Sequence, residues 1–199
     1  MKPHERYHID QIPADGEPIA PAKHATIFVR QCGVVVRDNV PITIQEWHKP
    51  KKEGSEQVTY VEDHTKDLLW DLLMVNFTLP PGVDPENPVI AKKVKEWALK
   101  KMGTQFKDWK KRLNLKYVQN NLTPNFKGAT EKIKDQWANF VKYKTSEPAK
   151  KRSAINMINA AKKTHHHCMG SAGYKGVIPV MEKEEADLLD KEVEPETYH

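Results

Sequence analysis

The stretch from Val89 to Tyr117 carries apolar side chains at helical spacing, and this pattern constrains the fold of the 199-residue chain more than any other. Successive apolar residues lie mostly three or four positions apart, which places them along one face of a helix. Asn87-Pro88 suits the start of this helix, which would extend on the order of 40 Å. Its aromatic rings are expected to pack in a core rather than to stack on bases. The stripe consists of Val94, Trp97, Ala98, Met102, Phe106, Trp109, Leu113 and Tyr117.

Three further helices are predicted from shorter apolar patterns. One has its apolar stripe from Leu68 to Val75 and ends before Pro80-Pro81, the second is capped by Thr130, and the third follows Ser146-Glu147-Pro148 and runs through Ala161. Their apolar positions are Leu68, Leu69, Leu72, Leu73 and Val75 in the first, Ile133, Trp137, Phe140 and Val141 in the second, and Ile155 and Ile158 in the third.

The N-terminal quarter of the chain has a different pattern. Residues 1–24 contain four prolines and little periodicity, so they are predicted to be a disordered arm. The β-branched runs IFV and GVVV, followed by Val40, Ile42 and Ile44 in alternation, predict short strands within residues 25–61. The fold class is therefore expected to be mainly α: a helical bundle with a small β-containing N-terminal part and mobile termini.

The net charge of +5 conceals a strong asymmetry along the chain. Residues 92–163 hold 20 Lys or Arg against 5 Asp or Glu, whereas residues 1–91 hold 9 against 14 and residues 164–199 hold 3 against 8. A cationic segment of this kind is typical of proteins that bind a polyanion, and double-stranded DNA is the expected partner. The alternative is a solvated lysine face that only keeps the protein soluble. On this basis residues 62–174 are predicted to be a basic α-helical DNA-binding domain and residues 175–199 an acidic tail.

Specific DNA contacts are predicted within the cationic segment. Arg152, Asn156 and Asn159 are candidates for reading base edges, because arginine pairs well with guanine and asparagine with adenine. The candidates for phosphate contacts are Lys110, Lys111, Arg112, Lys132, Lys134, Lys150, Lys151, Arg152, Lys162 and Lys163.

The cluster KKTHHHCMGSAGY contains ligand types that zinc prefers. His165, His167 and Cys168 are the candidate ligands, but a closed structural site needs four ligands and no paired cysteine spacing occurs. Lysines and histidines in the last turns of a helix, followed by Gly170 and Gly173, are also typical of a helix C-terminus. The second interpretation is favoured, and zinc is the single cofactor that the residues leave open.

Other classes of protein fit the chain poorly. No apolar run approaches the roughly 18 residues of a membrane span, and no signal peptide is recognisable. Two cysteines are too few for a disulfide framework, which favours the cytosol or nucleus. No Walker loop, nucleophile elbow or metal-binding carboxylate triad of a DNA-cleaving enzyme is recognisable, so neither catalysis nor a small-molecule substrate is expected.

Several ordered motifs carry a resemblance to a known family. QCGVVVRDNVPIT, DLLWDLL, VKEWALKKMGTQFKDWKKRL, TPNFKGATEKIKDQWANFVKYK and AAKKTHHHCMGSAGYKGVIP occur in this order between residues 31 and 179. Together they resemble the plant Ptta/En/Spm transposase family, whose members are encoded by CACTA-type DNA transposons. The resemblance implies a nuclear plant protein that binds element DNA and is accessory to transposition rather than catalytic. It also implies that Ser171, in the GSAGY turn, contacts a phosphate.

Two alternatives to this function remain open. In the first, the tryptophan helix and residues 68–73 pair with another chain, so that the protein is an interaction or homo-oligomerisation module. In the second, the protein is a domesticated transcription regulator that uses the same DNA chemistry.

Overall fold

The structure, a computed structural model, describes residues 6–50, 59–81, 83 and 88–162. Within them the fold is mainly α, as the sequence predicts. The elements in chain order are β1 (Tyr7–His8), α1 (Ala22–Asn39), α2 (Asp63–Met74), β2 (Phe77–Thr78), α3 (Pro88–Lys116), a short 3₁₀ helix (Val118–Asn120), a longer 3₁₀ helix (Gly128–Gln136), α4 (Trp137–Thr145) and α5 (Glu147–Ala161).

Helix α3 is the central element, and its predicted apolar stripe is confirmed. It begins at Pro88 and runs without a break through Gly103 to Lys116. Six of the eight stripe residues are buried, while Trp97 and Tyr117 are partly buried against the same core. Burial of a side chain of valine or methionine size stabilises a fold by roughly 1.5–3 kcal/mol, so this one face contributes much of the stability of the core.

The strands predicted within residues 25–44 are wrong, because residues 22–39 form the helix α1. This helix buries Phe28, Cys32, Val35 and Val36, which lie at positions i, i+4, i+7 and i+8 of a helical face. A β-branched residue costs a helix only a few tenths of a kcal/mol, and the burial of this face offsets that cost. Val40 and Ile42 are buried as well, but Val40 is the C-cap of α1 and Ile42 lies in a turn, so neither belongs to a strand.

Helices α1 and α3 pack closely where Gly33 faces Gln105. A Cβ atom at Gly33 would collide with the Gln105 side chain, whose Nε2 donates a hydrogen bond to the Val29 carbonyl at 3.0 Å. The absence of a side chain at Gly33 therefore leaves room for the Gln105 amide to hydrogen-bond to the α1 backbone.

The disordered arm predicted for residues 1–24 is also wrong for the part that the structure describes. β1 pairs in parallel with β2, with Tyr7 opposite Phe77. Ile9, the first residue after β1, is only 1% exposed. Gly16 has a φ of +83° and lies against α3, where an added Cβ would be 2.8 Å from the Val94 nitrogen. Prolines shape this segment without preventing its burial.

Helix α2 agrees with its prediction. Leu69 and Leu73 are buried and Leu72 is partly buried, whereas Leu68 and Val75 are exposed. The α2 side facing the core is thus narrower than the five-residue stripe suggested.

The segment after α3 adds an aromatic cluster to the core. Trp137 lies between the rings of Tyr117, Phe126 and Phe140, with centroid distances of 6.1, 6.1 and 5.6 Å. The α-helix predicted from Thr130 is wrong at its start, because residues 128–136 are 3₁₀ and α4 begins only at Trp137.

The predicted domain divisions differ from the observed ones. Met1–Lys150 form one compact unit and Lys151–His199 a second, so no boundary falls at residue 24 or 61, and the observed boundary lies within α5. The boundary predicted at residue 174 lies outside the described residues. Among the described helices, none combines the length and apolar character required to span a bilayer.

Candidate nucleic-acid interface

The exposed face of α3 carries a line of four lysines, Lys93, Lys100, Lys107 and Lys111, called the lysine row below. Spacings of seven, seven and four residues place them within about 40° of one another around the helix, and all four are exposed. At 1.5 Å per residue, the row extends for about 27 Å along the helix. Helical geometry therefore gathers these ammonium groups on one side of α3, opposite its buried stripe.

Two other lysines on α3, Lys92 and Lys95, are paired with carboxylates, and this distinguishes them from the lysine row. Lys95 Nζ lies 2.8 Å from Asp67 on α2, and Lys92 Nζ lies 4.0 Å from Glu96. Within the described part of the chain, no ion pair engages any member of the lysine row. The positive charge of the row is consequently available to an external anion.

Lys110, a predicted phosphate contact, is buried and cannot serve that role. It is 7% exposed, its Nζ donates to the carbonyl oxygens of Ile44 and Gln45, and the ammonium lies 4.4 Å from the Phe106 ring centroid. Burial lowers the pKa of Lys110 to about 8, assisted by the positive charge of Lys144 and opposed by Glu46. Lys110 therefore binds the segment of Ile44 and Gln45, which follows α1, to α3.

The other predicted phosphate contacts in the first unit differ in availability. Lys111 and Arg112 are exposed, but only Lys111 belongs to the lysine row, since Arg112 lies about 100° further around α3. Lys132 Nζ lies 3.1 Å from Asp38 and Lys150 Nζ lies 3.0 Å from Glu147. Lys134 is exposed on the 3₁₀ helix.

The remaining described candidates lie in the second unit, on the last three turns of α5 or, for Lys162, directly after its end. Arg152, Asn156 and Asn159 are exposed at positions i, i+4 and i+7, so they share one face, as base-reading side chains on a helix would need. Lys151 and Lys162 are exposed on the adjacent face. Lys163 and Ser171 lie outside the described residues.

The zinc hypothesis falls outside the described residues, because His165, His167 and Cys168 are not among them. Within the described ranges, no three His, Cys, Asp or Glu residues come together as metal ligands. Cys32 is a poor ligand, since burial raises the pKa of its thiol to about 12 and keeps it protonated.

The predicted tryptophan anchors take the structural role that the sequence indicates. Trp109 and Trp137 are buried, and Trp97 is partly buried with its ring centroid 6.4 Å from that of Phe28. Lys93, Lys100 and Lys107 were missing from the predicted contacts. The sequence pattern that indicates them is their spacing of seven residues on the helix face opposite the apolar stripe.

Comparisons with family models, curated proteins and solved structures found no match to this chain.

Proposed function

We propose that the protein binds duplex DNA through the lysine row of α3. The supporting observation is that four exposed lysines line one helix face without intramolecular carboxylate partners among the described residues, while Lys92 and Lys95, on other faces of α3, are paired. Each phosphate that a lysine neutralises releases condensed counterions, which favours binding without reading sequence.

The expected contribution of the row follows from counterion release. Four phosphate contacts predict a slope of about −3 to −4 in a plot of log K against log salt concentration. Contacts from α5 would make the slope steeper, and its face of Arg152, Asn156 and Asn159 is the proposed source of sequence preference.

A salt titration of binding to a blunt duplex tests this function. Lys100→Gln is expected to reduce the steepness of the slope by about one, because it removes one phosphate contact. Lys95→Gln is the matched control: it is the same substitution on the same helix, but its lysine is paired with Asp67, so a smaller effect is expected. A flat salt dependence for the unaltered protein, or equal effects of the two variants, would contradict the proposal.

The biological context of this binding is proposed from the sequence resemblance to the Ptta/En/Spm transposases alone. In that context the protein is a nuclear accessory factor that binds transposon DNA without cutting it. Selection of bound sequences from a random DNA pool tests this: enrichment of one short motif supports recognition of element ends, and the absence of enrichment leaves only non-specific binding.

The alternative of an oligomerisation module has less surface available than the sequence suggested. Leu69 and Leu73 are buried in the core of the chain itself, which leaves Leu68 of α2 and Val75, directly after its end, as the exposed apolar pair. Light scattering with and without DNA separates the functions, because a module of this kind assembles regardless of DNA.

A further inference from the structure

A cleft with a volume of about 560 Å³ lies beside the lysine row, within the first unit. Trp47 and His48 contribute to its lining from the connection between α1 and α2, and Lys66 contributes from α2. The rest of the lining comes from α3 and includes Lys100 and Lys107. The cleft and the row therefore share two lysines.

The aromatic part of the cleft is packed against α3 on one side. The Trp47 indole packs directly on the α3 backbone at Gly103, where an added Cβ would be 2.9 Å from indole atoms Cγ and Cδ2. Its ring centroid lies 6.5 Å from that of Phe106. Because Trp47 is only half-buried, part of the indole remains open to the cleft, next to Leu99. A fixed aromatic surface of this kind costs little entropy when it binds a flat ligand.

The charges around the cleft favour an anionic ligand. Lys66 Nζ is engaged by Asp63 at 2.8 Å, and Glu96 lies within 4.0 Å of Lys92. Lys100 and Lys107 are exposed and have no ion-pair partner within the described ranges. Two available ammonium groups thus stand beside a half-buried indole and a leucine.

We propose that this cleft takes an unpaired nucleotide, with its base on Trp47 and Leu99 and its phosphate on Lys100 and Lys107. The volume is within the range of small-ligand sites, and stacking on an aromatic side chain accepts any base. The inference rests on the proposed function, because the lysine row would bring the sugar-phosphate chain to the cleft. It adds a preference for DNA that has an unpaired base next to the duplex. A free nucleotide has the same base and phosphate groups, so the experiment has to distinguish it from an unpaired nucleotide of DNA.

The test compares a blunt duplex with the same duplex carrying a short single-stranded overhang, and it includes a free mononucleotide as competitor. The unaltered protein is expected to bind the overhang DNA roughly tenfold more tightly, as one stacked base contributes. Trp47→Leu removes the ring. Thr104→Phe fills the cleft from an exposed position without altering the core, so it remains informative if Trp47→Leu fails to fold. Lys111→Gln is the control, because Lys111 belongs to the lysine row but does not line the cleft.

Both cleft variants are expected to bind the two DNAs equally, and Trp47→Leu, which lies outside the lysine row, is expected to keep the affinity for blunt duplex. Lys111→Gln is expected to weaken both DNAs and to keep the roughly tenfold preference. If blunt duplex binds but no preference exists, or the preference survives Thr104→Phe, the cleft inference is overturned and the proposed function stands. If only the overhang DNA binds, in a manner sensitive to Thr104→Phe, the cleft is supported and the duplex function is overturned. If neither DNA binds and the mononucleotide does not bind, both the duplex function and the cleft inference are overturned. If the mononucleotide alone binds, and Thr104→Phe abolishes its binding, the cleft is a site for a free nucleotide and the duplex function is overturned.

Discussion

Raising the pH from about 7 to about 10 should stabilise this protein through Lys110. In the folded state burial lowers the pKa of Lys110 from 10.5 to about 8, so between these two values the unfolded chain binds more protons at this site than the folded chain. By linkage, the free energy of unfolding rises with pH wherever the unfolded state binds more protons. The cost of burying the ammonium is present in full below pH 8 and disappears as the pH approaches 10.5.

The size of the effect follows from the two pKa values. Each pH unit between them corresponds to about 1.4 kcal/mol, so the full difference amounts to about 3 kcal/mol. Between about pH 7 and pH 10 most of it, about 2–3 kcal/mol, should be gained. Cys32 acts in the opposite sense: burial raises the pKa of its thiol from 9.0 to about 12, so it removes stability as the unfolded thiol ionises above pH 9.

A comparison with Lys110→Met isolates the lysine, because the contribution of Cys32 is common to both proteins and cancels. Methionine retains the apolar contact with the Phe106 ring while it removes the titrating group. Urea unfolding at several pH values should show that stability of the unaltered protein increases relative to Lys110→Met by about 2–3 kcal/mol as the pH rises. Lys111→Met, which removes an exposed lysine from the adjacent position, controls for the loss of one positive charge.

A difference between the unaltered protein and Lys110→Met that stays constant from about pH 7 to pH 10 would refute this reasoning. It would mean that the two carbonyl acceptors and the Phe106 ring compensate the ammonium for its burial. A difference that changes equally for Lys111→Met would assign the effect to the overall charge instead of to the buried site.

Three further predictions follow from individual residues. Gly16→Ala should lower the free energy of unfolding by about 2–4 kcal/mol in chemical denaturation, because it adds a collision with α3 to a strained positive φ. Gly128→Ala is its control, with a φ of +57° and open space around it, and should cost only about 1–2 kcal/mol. Cys32 should react with iodoacetamide only after unfolding, in a variant that lacks the second cysteine, and rapid labelling of the folded protein would contradict its burial. Lys132→Gln should weaken duplex binding less than Lys100→Gln, since Asp38 already holds Lys132 at 3.1 Å; equal losses by salt titration would disprove that.

The sequence predicts α3 and α2 well because the buried residues of both helices recur at helical spacing, with exposed residues between them. It fails at α1, where the runs IFV and GVVV have the composition of strands. The helical pattern was nevertheless present, since Phe28, Cys32, Val35 and Val36 lie on one helical face. Local propensity differs by only a few tenths of a kcal/mol per residue, and packing against α3 decides the outcome.

The candidate interface was predicted only in part, for a reason specific to lysine. Lys110 and Lys111 are adjacent in the same basic run, yet one is buried beneath Ile44 and Gln45 and the other is exposed. Which of the two meets solvent depends on where the segment after α1 crosses α3, about 65 residues away in sequence. The cleft was not predictable either, because Trp47 reaches Gly103 only through the same long-range packing.

The parallel pairing of β1 with β2 has a consequence for biosynthesis. Tyr7 leaves the ribosome long before its partner Phe77, so β1 lacks its partner strand while the intervening chain is translated. The same holds for Ile42, whose amide is satisfied by the side chain of Gln136 at a separation of 94 positions. Nascent chains stalled before Phe77 should therefore be cleaved by protease within residues 6–21, and chains released at full length should resist it there.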